Sequence, residues 1–207
     1  MKKKETRAIK AELRVSRADD KPPVIAGYAA VFDKWSEDLG FFREKIAPGA
    51  FKAALKTSDV RALINHDPNQ IVGRVGVNLT LKEDDQGLHM ELAEPPQGST
   101  RFDQLVRDIE SGLITQQSFG FVVKTDQWDE DRKTGTVSRT IIEVDDLLDV
   151  SPVTYPAYPD TSVALRGLEE HRKTVQTDGT DATQTRRRRL MAFRERQLKI
   201  NGVLKNG

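Results

Sequence analysis

Short apolar runs separated by polar turns dominate the middle of the chain. The run Val24–Phe32 is almost wholly apolar, which predicts a mostly buried strand. Turn-forming residues at 67–69 and 83–87 close two further runs, and a polar excursion at 125–135 separates two others. Runs of the same kind predict strands at residues 60–66, 71–77, 79–81, 88–92, 117–124, 136–144 and 147–153.

Two segments have a helical pattern instead. Pro48 suits the first turn of a short helix that runs to about Lys56, because the first turn does not use the N–H that proline lacks. In the second segment, Ser99 or Thr100 can cap the N-terminus, and Gly112 stands where a C-terminal cap belongs. Its apolar stripe consists of Phe102, Leu105, Val106 and Ile109. Short strands with two helices indicate an α+β fold, with a mainly antiparallel β-barrel-like core and helices packed outside.

The two ends of the chain differ in composition from the middle. Residues 1–22 are polar, alternate only weakly and end at a proline pair. Residues 174–185 are mostly Thr, Gln, Asp and Gly, which cannot form a core and predict a linker. A short basic amphipathic segment follows at 186–199. We therefore divide the chain into an N-terminal extension, a folded domain, and a polar linker with a basic tail, at residues 1–23, 24–166 and 167–207.

Composition narrows the classes of function. The 207 residues suit one domain with tails, and the absence of cysteine excludes disulfides, thiolate zinc sites and a cysteine nucleophile. The formal net charge of +1 gives no general case for nucleic-acid binding. No apolar run approaches the roughly 20 residues that span a bilayer, and the N-terminus lacks the apolar stretch of a secretory signal. The sequence predicts an intracellular protein with no membrane contact, no metal and no cofactor.

The most promising of three histidines is His66. It ends an apolar run where a rigid element meets a loop, and functional sites are often built at such places. Taken alone, a histidine at the end of a strand is more often structural than catalytic. His89 lies in the outward register of a hairpin and His171 at the edge of the tail, so we expect both at the surface.

Ser118 and Asp149 are two further candidates within apolar surroundings. Ser118 lies between apolar neighbours, and Gly120 allows close approach of a neighbouring strand or of a substrate. Asp149 is either on the exposed face of an edge strand or buried and paired, because an unpaired buried charge is costly. An imidazole N–H would be a suitable partner. Each residue alone indicates packing at least as readily as chemistry.

Five segments of the chain, taken in order, resemble the prohead proteases, the capsid-maturation proteases of tailed phages. The resemblance extends over about residues 24–166. Each segment is short, but all five occur with the order and spacing of the family. They are Gly27-Tyr28-Ala29-Ala30-Val31-Phe32, Ile46-Ala47-Pro48-Gly49-Ala50-Phe51, Leu63-Ile64-Asn65-His66-Asp67, Gln117-Ser118-Phe119-Gly120-Phe121 and Asp149-Val150-Ser151-Pro152-Val153-Thr154-Tyr155-Pro156-Ala157-Tyr158.

The resemblance implies a serine endopeptidase related in fold to the herpesvirus maturation protease. It places the catalytic base on His66 and the nucleophile on Ser118. The third position, which orients the histidine, falls on Asp149, where the family usually has the longer glutamate. The backbone amides of Phe119 and Gly120, or a nearby arginine, are candidate donors for an oxyanion hole.

The resemblance also implies partners and a location. Such an enzyme cleaves the scaffold segment of the major capsid protein, and usually itself, inside the assembling prohead in the cytoplasm of the bacterial host. Self-association into a homo-oligomer is compatible with this role. The tail, residues 167–207, would then be removed or would place the enzyme in the shell.

Two other functions remain open at this point. One is a catalytically inactive capsid assembly or scaffold factor of the same fold, and the presence of His66 and Ser118 in their family contexts argues against it. The other is a nucleic-acid binder that uses Arg186–Arg189, which could neutralise about four phosphates. The balanced charge elsewhere and the lack of an aromatic platform argue against nucleic acid as a partner.

Overall fold

The structure is a computed structural model that describes residues 4–9, 13–19, 21–37, 39, 42–131 and 136–155. These residues belong to one compact unit, Met1–Val163. The predicted linker at 174–185 and the basic segment at 186–199 lie outside the described residues. In the described part of the chain, no helix is long and apolar enough to cross a membrane. The same residues contain no group of three or more His, Asp or Glu side chains that could hold a metal ion.

The larger of the two sheets carries the candidate site. With strands numbered along the chain, its six described strands are β1 (Lys4–Ile9), β4 (Phe42–Ile46), β5 (Arg61–Ile64), β6 (Asp67–Arg74), β9 (Gln116–Asp131) and β10 (Thr136–Val153). The order across the sheet is β1-β9-β10-β5-β6, and β4 pairs with the first part of β10. β10 runs parallel to β4 and β5, whereas the other pairs are antiparallel.

The smaller sheet is antiparallel throughout. Its described strands are β2 (Arg14–Ser16), β3 (Val24–Val31), β7 (Leu79–Glu83) and β8 (Gly87–Ala93), in the order β2-β3-β8-β7. Side chains of both sheets form one hydrophobic core, whose fully buried members include Ile25, Leu88, Met90, Leu92, Phe119, Phe121, Ile141 and Leu147. The predicted mainly antiparallel β-core is therefore confirmed, while the α+β class with helices packed outside and the likeness to the herpesvirus protease remain predictions.

Within the described residues, two short helices accompany the sheets. Helix α1 spans Ala54–Thr57 after a series of turns, so it begins later than the proline at position 48 suggests. Helix α2 spans Thr100–Glu110, and Ser99 caps it by accepting a hydrogen bond from the Phe102 N–H at 3.3 Å. Its predicted apolar stripe is buried in the core, and Gly112 follows the helix with a φ of 76°.

Strands β9 and β10 are longer than the sequence predicts. Residues 125–131 of the predicted excursion continue β9, and the strands predicted at 136–144 and 147–153 are one strand. The reason is that β10 contains register shifts between Ile141 and Asp149, which interrupt the alternation on which a sequence prediction depends. The predicted N-terminal extension, in turn, supplies β1 and β2 to the two sheets.

Candidate active site

His66 lies in the two-residue turn between β5 and β6. Because Ile64 pairs with Asp67, Asn65 and His66 form the whole loop, with φ values of 54° and 58°. A type I′ hairpin turn requires positive φ at both of these positions, and Asn and His tolerate it better than most residues. The prediction places this turn two residues too late, at 67–69, because Pro68 and Asn69 are themselves strong turn formers.

Asn65 attaches this turn to the end of β10. Its backbone N–H donates to the carbonyl oxygen of Pro152 at 3.0 Å. Its side-chain oxygen accepts from the Thr154 N–H at 2.9 Å, and its amide nitrogen donates to Thr154 Oγ1 at 3.2 Å. These three bonds fix the turn beside the part of β10 that carries Asp149.

Ser118 and Asp149 project from the same face of the sheet. Ser118 on β9 pairs with Ser151 on β10, and Gly120 pairs with Asp149. Residues two apart on a strand share a face, so the three polar side chains lie together. None of them is more than 2% exposed, which means that a buried polar cluster forms at this point of the sheet.

The three predicted residues meet in a hydrogen-bonded chain. Nε2 of His66 lies 2.6 Å from Ser118 Oγ, and Nδ1 lies 2.5 Å from Asp149 Oδ1. The imidazole is thus held at both nitrogens, between a hydroxyl and a carboxylate, with its side chain 16% exposed. The structure brings all three sequence candidates together, although they come from three different strands or turns.

Gly120 is needed for the carboxylate to occupy this position. A Cβ atom at residue 120 would overlap Asp149 Oδ2 and would lie 3.1 Å from its Cγ and 2.7 Å from Lys4 Cε. The sequence predicts that Gly120 allows a close approach, without identifying the group that approaches. In the structure this group is the carboxylate of Asp149 on the adjacent strand β10. A larger residue would push the carboxylate away from the imidazole.

Asp149 is held ionised by the groups around it. Burial alone raises the pKa of its carboxyl, but hydrogen bonds from His66, Lys4 and Ser151 outweigh burial and hold the pKa at about 2. Lys4 Nζ lies 2.8 Å from Oδ2, and Ser151 Oγ donates to Oδ1 at 2.7 Å. Although aspartate is shorter than the glutamate that the family usually has here, Asp149 thus remains a charged acceptor for the imidazole N–H.

Sequence reasoning missed two of these contacts. Ser151 stands two residues from Asp149 on a predicted strand, so period-two alternation could have placed both on one face. Lys4 offers no such signal, because its contact with Asp149 depends on β1 pairing with β9 from the far end of the chain.

The candidate oxyanion donors lie between two strands. Phe119 and Gly120 pair with β10 on one side and, through Arg7 and Thr6, with β1 on the other. The Phe119 ring is buried in the core and packs edge-on against Phe51. While β1 is in place, this stretch of backbone is part of a continuous ladder.

The arrangement is suited to nucleophilic chemistry. A serine hydroxyl becomes a good nucleophile when an adjacent imidazole accepts its proton, and a carboxylate on the other ring nitrogen stabilises the imidazolium that results. The distances above satisfy hydrogen-bond reach at both steps. The described site is therefore suited to nucleophilic attack by Ser118, as in acyl transfer.

Comparison with known proteins gives two findings. The family model of the caudovirus prohead serine proteases matches residues 9–174, most of the chain. Among solved structures, the chain is similar to the capsid assembly protease gp21 of bacteriophage T4, with 14% sequence identity and a TM-score of 0.43 over 73% of this chain and 99% of that one. No curated protein matches the sequence.

Proposed function

Because the chain belongs to the caudovirus prohead serine protease family, we propose that it is a serine endopeptidase with Ser118, His66 and Asp149 as its catalytic residues. The observation that carries the proposal is the hydrogen-bonded chain of these three side chains, with contacts of 2.6 Å and 2.5 Å. Membership of the family supports a role in phage capsid maturation, and the geometry supports these three residues as the ones that carry the chemistry.

The mechanism follows from the order of these contacts. Ser118 Oγ attacks the scissile carbonyl carbon while His66 Nε2 accepts the hydroxyl proton, and the imidazolium then protonates the leaving amine. Asp149 keeps the proton on Nδ1, so that Nε2 is the basic nitrogen. Water then attacks the carbonyl carbon of the acyl-enzyme while His66 Nε2 accepts a proton from it. The imidazolium finally returns a proton to Ser118 Oγ as the acyl group leaves.

An oxyanion hole is part of this mechanism. One well-placed donor typically contributes about 2.7–4 kcal/mol to the transition state. The backbone amides of Phe119 and Gly120 are our candidates, because they directly follow the nucleophile along β9. Consecutive N–H groups of a strand point to opposite edges, so only the one of the two that faces β1 can serve while β9 stays paired with β10.

The proposed substrate is the scaffold segment of the major capsid protein, together with the enzyme itself. In this proposal the protein acts inside the assembling prohead, in the cytoplasm of the bacterial host, where enzyme and capsid protein are concentrated together. Self-association of the enzyme into a homo-oligomer is compatible with its presence inside the prohead.

Co-expression with the cognate capsid protein tests the proposal. The wild type should shorten the capsid protein and itself, as read by intact mass, whereas Ser118→Ala should leave both chains whole. Ser111→Ala, which removes an exposed hydroxyl at the end of α2, is the matched control and should cleave normally. Cleavage that persists in Ser118→Ala would overturn the assignment of the nucleophile.

A second readout separates the protease from an inactive assembly factor of the same fold. A fluorophosphonate probe should label the wild type at Ser118 and should not label Ser118→Ala. A wild type that binds capsid protein but neither cleaves it nor reacts with the probe would be the inactive factor.

A further inference from the structure

Ser151 is a buried serine beside the candidate site, and the mechanism above gives it no role. It is 0% exposed, stands opposite Ser118 on the paired strands β9 and β10, and lies two residues from Asp149 along β10. It therefore projects from the same face of the sheet as both. A hydroxyl in so buried a place needs an acceptor for its proton, because an unpaired buried hydroxyl is costly.

The acceptor of that proton is the oxygen atom that also faces the imidazole. Ser151 Oγ donates to Asp149 Oδ1 at 2.7 Å, and Nδ1 of His66 lies 2.5 Å from the same oxygen. Oδ2 of the carboxylate instead faces Lys4 Nζ at 2.8 Å. The terminal torsion of an aspartate side chain is broad, so the carboxylate can turn unless a contact prevents it. The bond from Ser151 opposes this rotation and holds Oδ1 towards the imidazole.

Burial distinguishes Ser151 from Lys4 as a donor to this carboxylate. The Lys4 side chain is 44% exposed, and its contact depends on the pairing of β1 with β9. Ser151 belongs to the same strand as Asp149 and is shielded from water, so its bond requires no other segment of the chain. Lys4 supplies a charge near Oδ2, whereas Ser151 fixes the direction of Oδ1.

We propose that Ser151 is a positioning residue of the active site, which fixes Asp149 Oδ1 as the acceptor for the Nδ1 proton of His66. This inference rests on the proposed function and extends its chain of three side chains to four. Ser151 acts through Asp149: with the carboxylate fixed, the imidazole keeps its proton on Nδ1 and presents Nε2 to Ser118. Catalytic groups have to be held within about 0.5 Å of the productive geometry, and hydrogen bonds from supporting residues provide that precision.

Removal of the hydroxyl tests the proposal. Of its three described donors, the carboxylate in Ser151→Ala keeps Lys4 on Oδ2 and the imidazole on Oδ1, so it should turn towards the ammonium group. Misplacement of a catalytic group by about 1 Å can cost up to about 100-fold in rate. We therefore expect the second-order rate constant for fluorophosphonate labelling of Ser118 to fall at least about tenfold.

Ser58→Ala is the matched control. Ser58 Oγ also donates to an aspartate of β10, Asp146, at 2.6 Å, and it accepts from the Leu147 N–H at 3.0 Å. Both variants should unfold at a lower temperature than the wild type, because each leaves polar groups with fewer partners. Labelling should fall only in Ser151→Ala. An equal fall in both variants, or none in Ser151→Ala, would show that Ser151 is a structural residue only.

A double-mutant cycle tests whether Ser151 acts through Asp149. In the Asp149→Asn background the carboxylate that Ser151 positions is gone, so Ser151→Ala should change the labelling rate by less than about twofold. In the wild-type background the same substitution should cost at least about tenfold. Contributions that are independent of each other multiply, so an equal factor in both backgrounds would overturn the proposal.

The proton between His66 and Asp149 gives a readout that does not depend on labelling. A proton in a short, shielded hydrogen bond resonates far downfield of the backbone amides in a proton NMR spectrum. The signal should be present in the wild type and in Ser58→Ala, and should move upfield or broaden in Ser151→Ala. Its absence from the wild type, or its persistence unchanged in Ser151→Ala, would contradict the positioning role.

A second variant keeps both measurements decisive if Ser151→Ala does not fold. Ser151→Cys fills the space and replaces the hydroxyl with a thiol, which is a weak donor. Labelling and the downfield signal should change in the same direction as expected for alanine. A thiol variant that behaves like the wild type in both measurements would overturn the proposal.

The outcomes also separate this inference from the proposed function. No labelling of Ser118 in the wild type would overturn the protease assignment itself, whatever the NMR signal shows. Normal labelling that is indifferent to Ser151 would overturn the inference alone.

Discussion

Two buried polar clusters lie on opposite faces of β1. On one face, Lys4 contacts the carboxylate of Asp149 in the candidate site. On the other face, Glu5 and Arg7 join Glu44, Arg139 and Asp126 in a network of charges. In the first cluster, the contacts of His66 with Ser118 and Asp149 involve no residue of β1. The second takes two of its five charges from β1.

This difference separates the proposed chemistry from the stability of the sheet. The contacts of His66 with Ser118 and Asp149 are made by β9, β10 and the turn between β5 and β6, so they do not depend on the charges of the second cluster. The charge network, by contrast, depends on the pairing of β1 with β9, which brings Glu5 and Arg7 into it. Substitutions in the two clusters should accordingly affect different measurements, and four of them put this to the test.

The largest expected effect is on turnover, in the first cluster. His66→Asn removes the base and keeps a side chain that tolerates positive φ, so the turn between β5 and β6 should still form. We expect the rate of peptide cleavage to fall about 10⁴-fold, while the thermal midpoint of unfolding changes little. A variant that retains more than about a tenth of the wild-type rate would remove His66 from the mechanism.

The next largest effect is on stability, in the second cluster. Arg139→Met removes the cation that joins Glu5, Glu44 and Asp126, and leaves the carboxylates of Glu5 and Glu44, at most 10% exposed, without it. Breaking a buried network of this kind typically costs about 3–5 kcal/mol. Urea denaturation should show that loss, and the fraction that remains folded should still react with the serine probe at Ser118.

The matched control lies at an exposed ion pair. Arg74→Met removes a partner of Asp59, and both side chains are about half exposed. Exposed pairs of this kind contribute at most about 1 kcal/mol. An equal loss of stability in Arg139→Met and Arg74→Met would mean that the buried network does not behave as a unit.

The sequence predicts the first cluster far better than the second. His66, Ser118 and Asp149 stand in short family segments, so the resemblance alone singles them out, and the three do converge. Their local patterns do not single them out, because a strand-end histidine and a buried serine are common structural residues. The grouping depends on strand register, which no single segment encodes.

The second cluster and β1 have no comparable signal. Glu5 and Arg7 lie in a polar stretch that is predicted as an extension, and their burial follows from pairing with β9 more than one hundred residues away in the chain. Glu44 and Arg139 are charged residues in strands, where exposure is the usual outcome. Such burial arises only once partners from separate segments neutralise one another.

A smaller effect is expected from crowding at the boundary of the first cluster. Gly120→Ala places a methyl group against the Asp149 carboxylate, and overpacking of this kind costs about 1–3 kcal/mol. Turnover should fall as well, because the carboxylate must move away from the imidazole. Gly112→Ala, at a φ of 76° with open space around it, should lose stability through backbone strain while keeping normal turnover.

The smallest effect concerns the pH dependence of stability. The pKa of Asp149 is lowered in the folded protein from 3.8 to about 2, so its contribution is fully present above about pH 4 and is lost as the pH falls through about 2. Between these values the free energy of unfolding of the wild type should drop by ~2 kcal/mol more than that of Asp149→Asn. Hydrogen bonding from Arg74 also lowers the pKa of the exposed Asp59 to about 2, but salt should screen that pair. In 1 M salt the extra drop in the free energy of unfolding of the wild type should therefore persist relative to Asp149→Asn and disappear relative to Asp59→Asn. If salt removes it relative to both variants, Asp149 is not the buried, ionised partner of His66.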